Sequence, residues 1–238
     1  MIGKDFDPIN FTLFGMDLAD PTDFIFDIIL GVLSLTLAYR AFKLNYQGEF
    51  LAAWQKFFLY FGLSIFLSGF GHLFYNYFHF YGKLLGWFFI PLSIYWIERA
   101  MISAHWNPKI IAKANKIYLI KLLLVYVAFF AVWMLVDVNA KPQLLFLPLA
   151  INTILGLLIG AGVFSYKFKS KISPSFKYVF YGIVAIFPSA FVFLLKINLH
   201  PYFTKNDFSH VLMIIGMSFF YYGFTKVMKE KHPFIKAK

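Results

Sequence analysis

The chain has 238 residues and a formal charge of +11, and it is 61% hydrophobic and 22% aromatic but only 14% charged, with a mean hydropathy of +0.70. A soluble domain carries about 25% charged residues, so this composition excludes a water-covered surface. Seven spans of roughly 20 residues each use up the length and leave no room for a separate soluble domain. The lack of cysteine excludes disulfides, thiolate metal sites and cysteine catalysis.

In chain order, residues 1–21 read as an acidic extracytoplasmic arm. Six of the eleven acidic residues fall between Asp5 and Asp27: Asp5, Asp7, Asp17, Asp20, Asp23 and Asp27. Pro8 and Pro21 suggest a short structured arm, with Asp20-Pro21-Thr22-Asp23 opening the first helix. Aspartates there favour the helix dipole, and a calcium site on the arm is the alternative use of so many carboxylates. Met1-Ile2-Gly3-Lys4-Asp5 lacks a basic segment followed at once by an apolar run, so the first helix is expected to act as the insertion signal rather than a cleaved leader.

Residues 22–226 read as an all-α polytopic membrane protein, a seven-transmembrane helix bundle with spans near 22–44, 54–79, 83–104, 115–136, 143–166, 177–197 and 208–226. Residues 227–238 form a basic tail. Of the 22 Lys and Arg, only Lys4, Lys83, Lys141, Lys196 and Lys205 fall on one side of these spans. The positive-inside rule then predicts the N-terminus outside and the C-terminus in the cytoplasm. Most of the +11 is this topology signal, so nucleic acid is not an expected partner; membrane lipids are, and the oligomeric state is not legible. Pro91 and Pro188 predict kinks in the third and sixth helices. Gly156-Leu-Leu-Ile-Gly160, followed by Gly162, predicts close packing inside the bundle. Aromatic residues, spread along nearly every span, read as lipid packing and interface belts.

Ionisable groups in hydrocarbon are expensive, so each is a candidate for function. On the second span Ser68, His72, Asn76 and His79 follow at spacings of four, four and three, which places them on one helical face. The surrounding Ser68-Gly69-Phe70-Gly71-His72 carries glycines that admit a neighbouring helix. The seventh span opens with Asn206-Asp207-Phe208-Ser209-His210, where Asp207 can cap the helix or face the same way as His210. Because the second helix runs outward and the first and seventh run inward, Asp23, Asp27, His72, Asp207 and His210 are expected to share the outer third of the membrane. Glu98 falls near the inner end of the third span, where an ion pair is the simple account. Imidazoles are common metal ligands, and a catalytic zinc uses three protein ligands and a water whose pKa it lowers. A serine one turn from a ligand can donate to the oxyanion that forms on a lipid amide or ester.

With seven helices, Ser-x-x-x-His on the second and a histidine opening the seventh, the chain resembles the CREST superfamily of membrane hydrolases. That group includes the alkaline ceramidases and the progestin and adiponectin receptors. Asn206-Asp207-Phe208-Ser209-His210 followed by Phe219-Phe220-Tyr221-Tyr222-Gly223 most resembles its uncharacterised bacterial branch, which implies the cytoplasmic (inner) membrane of a bacterium. The resemblance implies zinc on His72 and His210, an active-site Ser68 and hydrolysis of a lipid amide or ester. Two departures stand out. Asn206 occupies the first position of the ceramidases' His-x-x-x-His, and the aspartate that follows their second-helix histidine is missing. Asp27, His79 or Asp207 would supply the missing group, with Asp27 and His79 as metal ligands and Asp207 as a catalytic residue beside Ser68. The alternative is a non-enzymatic receptor, sensor or assembly factor that keeps the bundle. A haem held by His72 and His210 is a further option. Retinal is disfavoured, since no lysine lies between His210 and Thr225.

Overall fold

The computed structural model describes residues 2–137, 141–230 and 232–237; Lys231 and Lys238 of the basic tail lie outside them. Among the described residues, seven helical segments are long and apolar enough to cross a membrane. They are α1 (Pro21–Phe42), α2 (Glu49–Leu73), α3 (Leu84–Ser103), α4 (Pro108–Leu135), α5, α6 (Phe176–Leu194) and α7 (Lys205–Met228). Helix α5 begins as Pro142–Leu155, turns π-helical over Gly156–Val163 and finishes as Phe164–Lys171. The all-α expectation agrees with this architecture. Helices α1, α2 and α3 pack in series, α7 joins α1 and α6, and the π-helical part of α5 lies on α3. The outward faces are apolar: Leu123, Leu124, Val127, Met134 and Leu135 are all exposed.

The N-terminal arm is a β-hairpin of β1 (Asn10–Leu13) and β2 (Met16–Ala19). It turns through Phe14 and Gly15, both at positive φ, and buries Leu18 and Ala19 against the end of the bundle. The Asp17 amide donates to the Tyr77 hydroxyl at 3.0 Å, and Asn76 reaches Asn10 at 3.0 Å. Further along the arm, Asp5 pairs with Lys196 at 2.8 Å and with Lys205. Burial would raise the Asp5 carboxyl, but hydrogen bonds from these two ammonium groups outweigh it and hold the group below its ordinary 3.8. The tail is also tied down: β4 (Lys236–Ala237) pairs antiparallel with β3 (Tyr46–Gln47), between α1 and α2.

The core away from the hairpin is aromatic. Trp54 stacks on Phe58 and Phe224, each at 5.6 Å, and Phe50, Phe57, Phe176 and Phe220 are fully buried around them. This departs from the expectation that the aromatic content serves lipid packing and interfaces. Flat, large rings also fill the space between helices that small residues bring close. Gly156 and Gly160 behave as expected, since a Cβ on either would strike Ile94 or Glu98 of α3 at 2.2 and 2.5 Å.

The second span ends earlier than its apolar run suggests. Helix α2 stops at Leu73, and the chain turns back through a short helix (Tyr75–Phe78) and a 3-10 turn (His79–Lys83). The reversal is tight because Gly71 sits on the backbone of the returning segment: a Cβ there would lie 2.6 Å from the Gly82 carbonyl carbon and 2.7 Å from the Lys83 nitrogen. Backbone cannot yield as a side chain can, so Gly71→Ala should cost about 1–3 kcal/mol through overpacking. Thermal unfolding in detergent should show a midpoint several degrees lower; an unchanged midpoint would contradict this contact.

Candidate metal and acid–base site

Helix α1 supplies three carboxylates to one face. Asp20, Asp23 and Asp27 follow at spacings of three and four, so they rise along a single stripe. Asp20, at the N-cap, takes a left-handed conformation (φ 46°) and makes no side-chain capping bond. Its carboxylate turns instead towards α2, where His72 Nδ1 lies 3.7 Å from Asp20 Oδ2 and 3.1 Å from Asp23 Oδ2. The three ligand atoms of Asp20, Asp23 and His72 all fall within 4.8 Å of one another. Asp23 is held from α7: Thr204 Oγ1 donates to its Oδ1 at 3.0 Å and Asn206 Nδ2 to its Oδ2 at 2.7 Å. Lys83 adds a positive charge that acts on all three carboxylates.

A second pair lies one turn further along α1. His210 Nε2 of α7 is 3.1 Å from Asp27 Oδ1. Asp27 is 1% exposed and His210 9%, and neither Asp27 Oδ2 nor His210 Nδ1 has a hydrogen-bond partner. Buried polar atoms are nearly always bonded, so this pair has capacity left for a substrate, an ion or water. Gly69 of α2 lets α1 pack closely at Asp27, because a Cβ there would meet the Asp27 Cβ at 2.8 Å.

The residues singled out in the sequence divide into three groups. His72, His210 and Asp27 do converge on one end of the bundle, but His72 faces Asp20 and Asp23 while His210 faces Asp27. Among the described residues the two imidazoles do not belong to one set of three clustered ligands. Ser68 lies one turn from His72, with its hydroxyl turned to Gly86 of α3. Asp207 forms the capping box of α7, its Oδ2 accepting from the Thr204 amide at 2.6 Å, while its Oδ1 is buried without a partner. His79 and Asn76 stand apart. Both follow the end of α2, so the stripe that continues Ser68 and His72 is broken, and His79 is exposed with its ring edge-on to Tyr75. The arm carboxylates are also dispersed, with Asp5 on the lysines and Asp17 on Thr12.

Asp20 and Asp23, which the dipole argument alone would explain, are the partners of His72. Thr204 was not singled out at all. The readable signal was the three-four spacing of the α1 aspartates, which marks one face without naming what it meets.

The arrangement fits a small divalent ion. Two ligands on one tetrahedral zinc, each ~2.0–2.2 Å from it, stand about 3.4 Å apart, and the two contacts of His72 Nδ1 at 3.1 and 3.7 Å bracket that spacing. That nitrogen is buried with no hydrogen bond aligned on it. An imidazole among the ligands suits a transition metal; calcium takes six to eight oxygens.

Residues 22–229 match the model of a family of unknown function, DUF6962. No curated protein and no solved structure matches the chain.

Proposed function

Because the chain belongs to the DUF6962 family, whose function is unknown, we propose its function from the site: a metal-dependent membrane hydrolase acting on a lipid amide or ester. The observation that carries this reading is the approach of His72 Nδ1 to two carboxylates beside a separate Asp27–His210 pair. The resemblance to the CREST hydrolases points to the same reaction class, although it implies zinc on His72 and His210 together and His210 lies instead on Asp27. Asp20, Asp23 and His72 would hold zinc, which when bound polarises a carbonyl and acidifies water. Thr204 and Asn206 orient Asp23 as an outer shell. Asp27 accepts from His210 and sets its ring, leaving the second nitrogen to work as general base. His210 takes a proton from water as the water oxygen adds to the acyl carbon. It returns that proton to the amine or alcohol as the carbon–nitrogen or carbon–oxygen bond breaks. Ser68, one turn along α2 from His72, would donate to the developing oxyanion once its hydroxyl turns from Gly86.

In this reading the helices span a bacterial cytoplasmic membrane with the hairpin outside, as the excess of lysine and arginine at the opposite end supports. The site then faces the outer leaflet, where its lipid substrate lies. The lack of cysteine makes the orientation simple to test. Phe14→Cys at the hairpin tip, where Phe14 is 90% exposed, should react with a membrane-impermeant maleimide on intact cells, and Lys229→Cys only after permeabilisation. The opposite pattern reverses the topology and removes the outer-leaflet substrate.

The function itself is tested on detergent-purified protein. Elemental analysis should find about one zinc per chain, and a panel of ceramides, acyl amides and lysolipids should yield a hydrolysed member. Zinc bound without turnover on any lipid favours the receptor or sensor reading; absence of both sinks the proposal.

A further inference from the structure

A second polar centre lies halfway along the bundle, away from the metal and acid–base site. Lys121 of α4 pairs with Glu98 of α3 at 2.5 Å. Lys121 is thirteen residues from the start of α4, about 20 Å along its axis at 1.5 Å per residue. The pair rests against Gly156, where a Cβ would come within 3.3 Å of Glu98 Oε1 and 3.5 Å of Lys121 Nζ. Asn152 precedes Gly156 by one turn on α5, immediately before the π-helical stretch. Such irregular turns are frequent at functional sites.

Three atoms here lack partners. Asn152 is 4% exposed, and neither its Oδ1 nor its Nδ2 is hydrogen-bonded; Glu98, 3% exposed, has an unpartnered Oε2. Lys121 and Asn152 also line one end of a groove of about 460 Å³ between α4 and α5. From there the groove runs past Leu124, Ala128, Val132, Leu147 and Ile151 to Val136 and Leu144. Lys121 to Val136 spans fifteen residues, ~22 Å, with aliphatic walls throughout.

We propose that this groove binds a single-chain amphiphile with an uncharged head that both donates and accepts hydrogen bonds, such as a long-chain alcohol, its head at Asn152 beside the Lys121–Glu98 pair and its tail along α4 and α5. The head chemistry follows from the missing bonds. Of the groove's lining, the Asn152 side chain has both its Nδ2 donors and its Oδ1 acceptor unpartnered, so it matches a head that accepts and donates. A fatty acid is disfavoured because Lys121 is already neutralised by Glu98, so a second carboxylate would face Glu98 in a low-dielectric setting. A phospholipid is disfavoured because its phosphate would have to lie at mid-helix rather than at a helix end. This inference does not depend on the hydrolase reading.

The test is photolabelling of the full chain in nanodiscs with a diazirine analogue of hexadecanol, followed by peptide mapping. Labels should concentrate on residues 121–136 and 144–155, and free hexadecanol should compete while hexadecanoate does not. Asn152→Leu, which removes the hydrogen-bonding partner, should lower labelling about 3- to 10-fold, the effect of one hydrogen-bonded contact. Ala128→Trp fills the groove from an exposed position that bears no load in the core, and should block labelling in protein that still elutes as a single species. Labelling spread evenly around the bundle, equal competition by the acid, or indifference to both variants would overturn the proposal.

Discussion

His72→Ala should strip the protein of zinc. The imidazole is the only nitrogen ligand among Asp20, Asp23 and His72, and removing it leaves two carboxylates, one of which is already held by Thr204 and Asn206. Altering an outer-shell partner alone costs roughly 10–100-fold in affinity, so loss of a direct ligand should exceed about 100-fold. Dialysis against a chelator of graded strength reads this as metal retained per chain. Asn206→Leu should fall within the outer-shell range, since Asp23 keeps its place through Thr204. His210→Ala provides the contrast: metal should stay while turnover drops by roughly 10²–10⁴, the usual contribution of a general base. If His72→Ala retains zinc as well as the parent does, the assignment of ligands fails. If His210→Ala loses metal and turnover together, the two histidines share one centre rather than two.

Glu98→Ala should be the most destabilising single change in the middle of the bundle. It deletes the partner of Lys121 and leaves an ammonium among Ile94, Gly156 and the walls of α4 and α5. Removing one member of a buried ion pair costs about 3–5 kcal/mol. Here the lower end applies, because 27% of the Lys121 side chain remains exposed. The double variant Glu98→Ala with Lys121→Met should recover most of that loss, since the cost lies in the stranded charge. Urea or SDS titration of parent, single and double variants measures the cycle. A Glu98→Ala protein as stable as the parent would show that Lys121 finds another partner or water.

Several residues show how far one-dimensional reasoning reaches. The α1 aspartates were legible only as helix-dipole and outer-end residues, although their three-four spacing matches the helical period. Gly69 and Gly71 were legible as points of close approach, and a Cβ on either would lie under 3 Å from the neighbouring chain. The continuation of Ser68 and His72 through Asn76 and His79 failed, because apolar character runs on past Leu73 while the backbone does not. The turn there is set by contact between Gly71 and Gly82, residues whose meeting no local pattern announces. Glu98 was expected to form an ion pair near the inner end of the third span, and it does. Its partner is Lys121, while the adjacent Arg99 takes Glu49, since neighbours in sequence point to different sides of a helix.

From the chain alone came the seven apolar helices, the end at which the histidines and aspartates gather, and the glycines that bring helices close. Those follow from hydropathy and period, which are properties of one segment at a time. Which side chain faces which was decided only by the folded bundle. The rotation of each helix about its axis depends on how ridges and glycine gaps of its neighbours interlock. A small rotation there is what sets His72 against Asp23, His210 against Asp27 and Asn152 against an open groove.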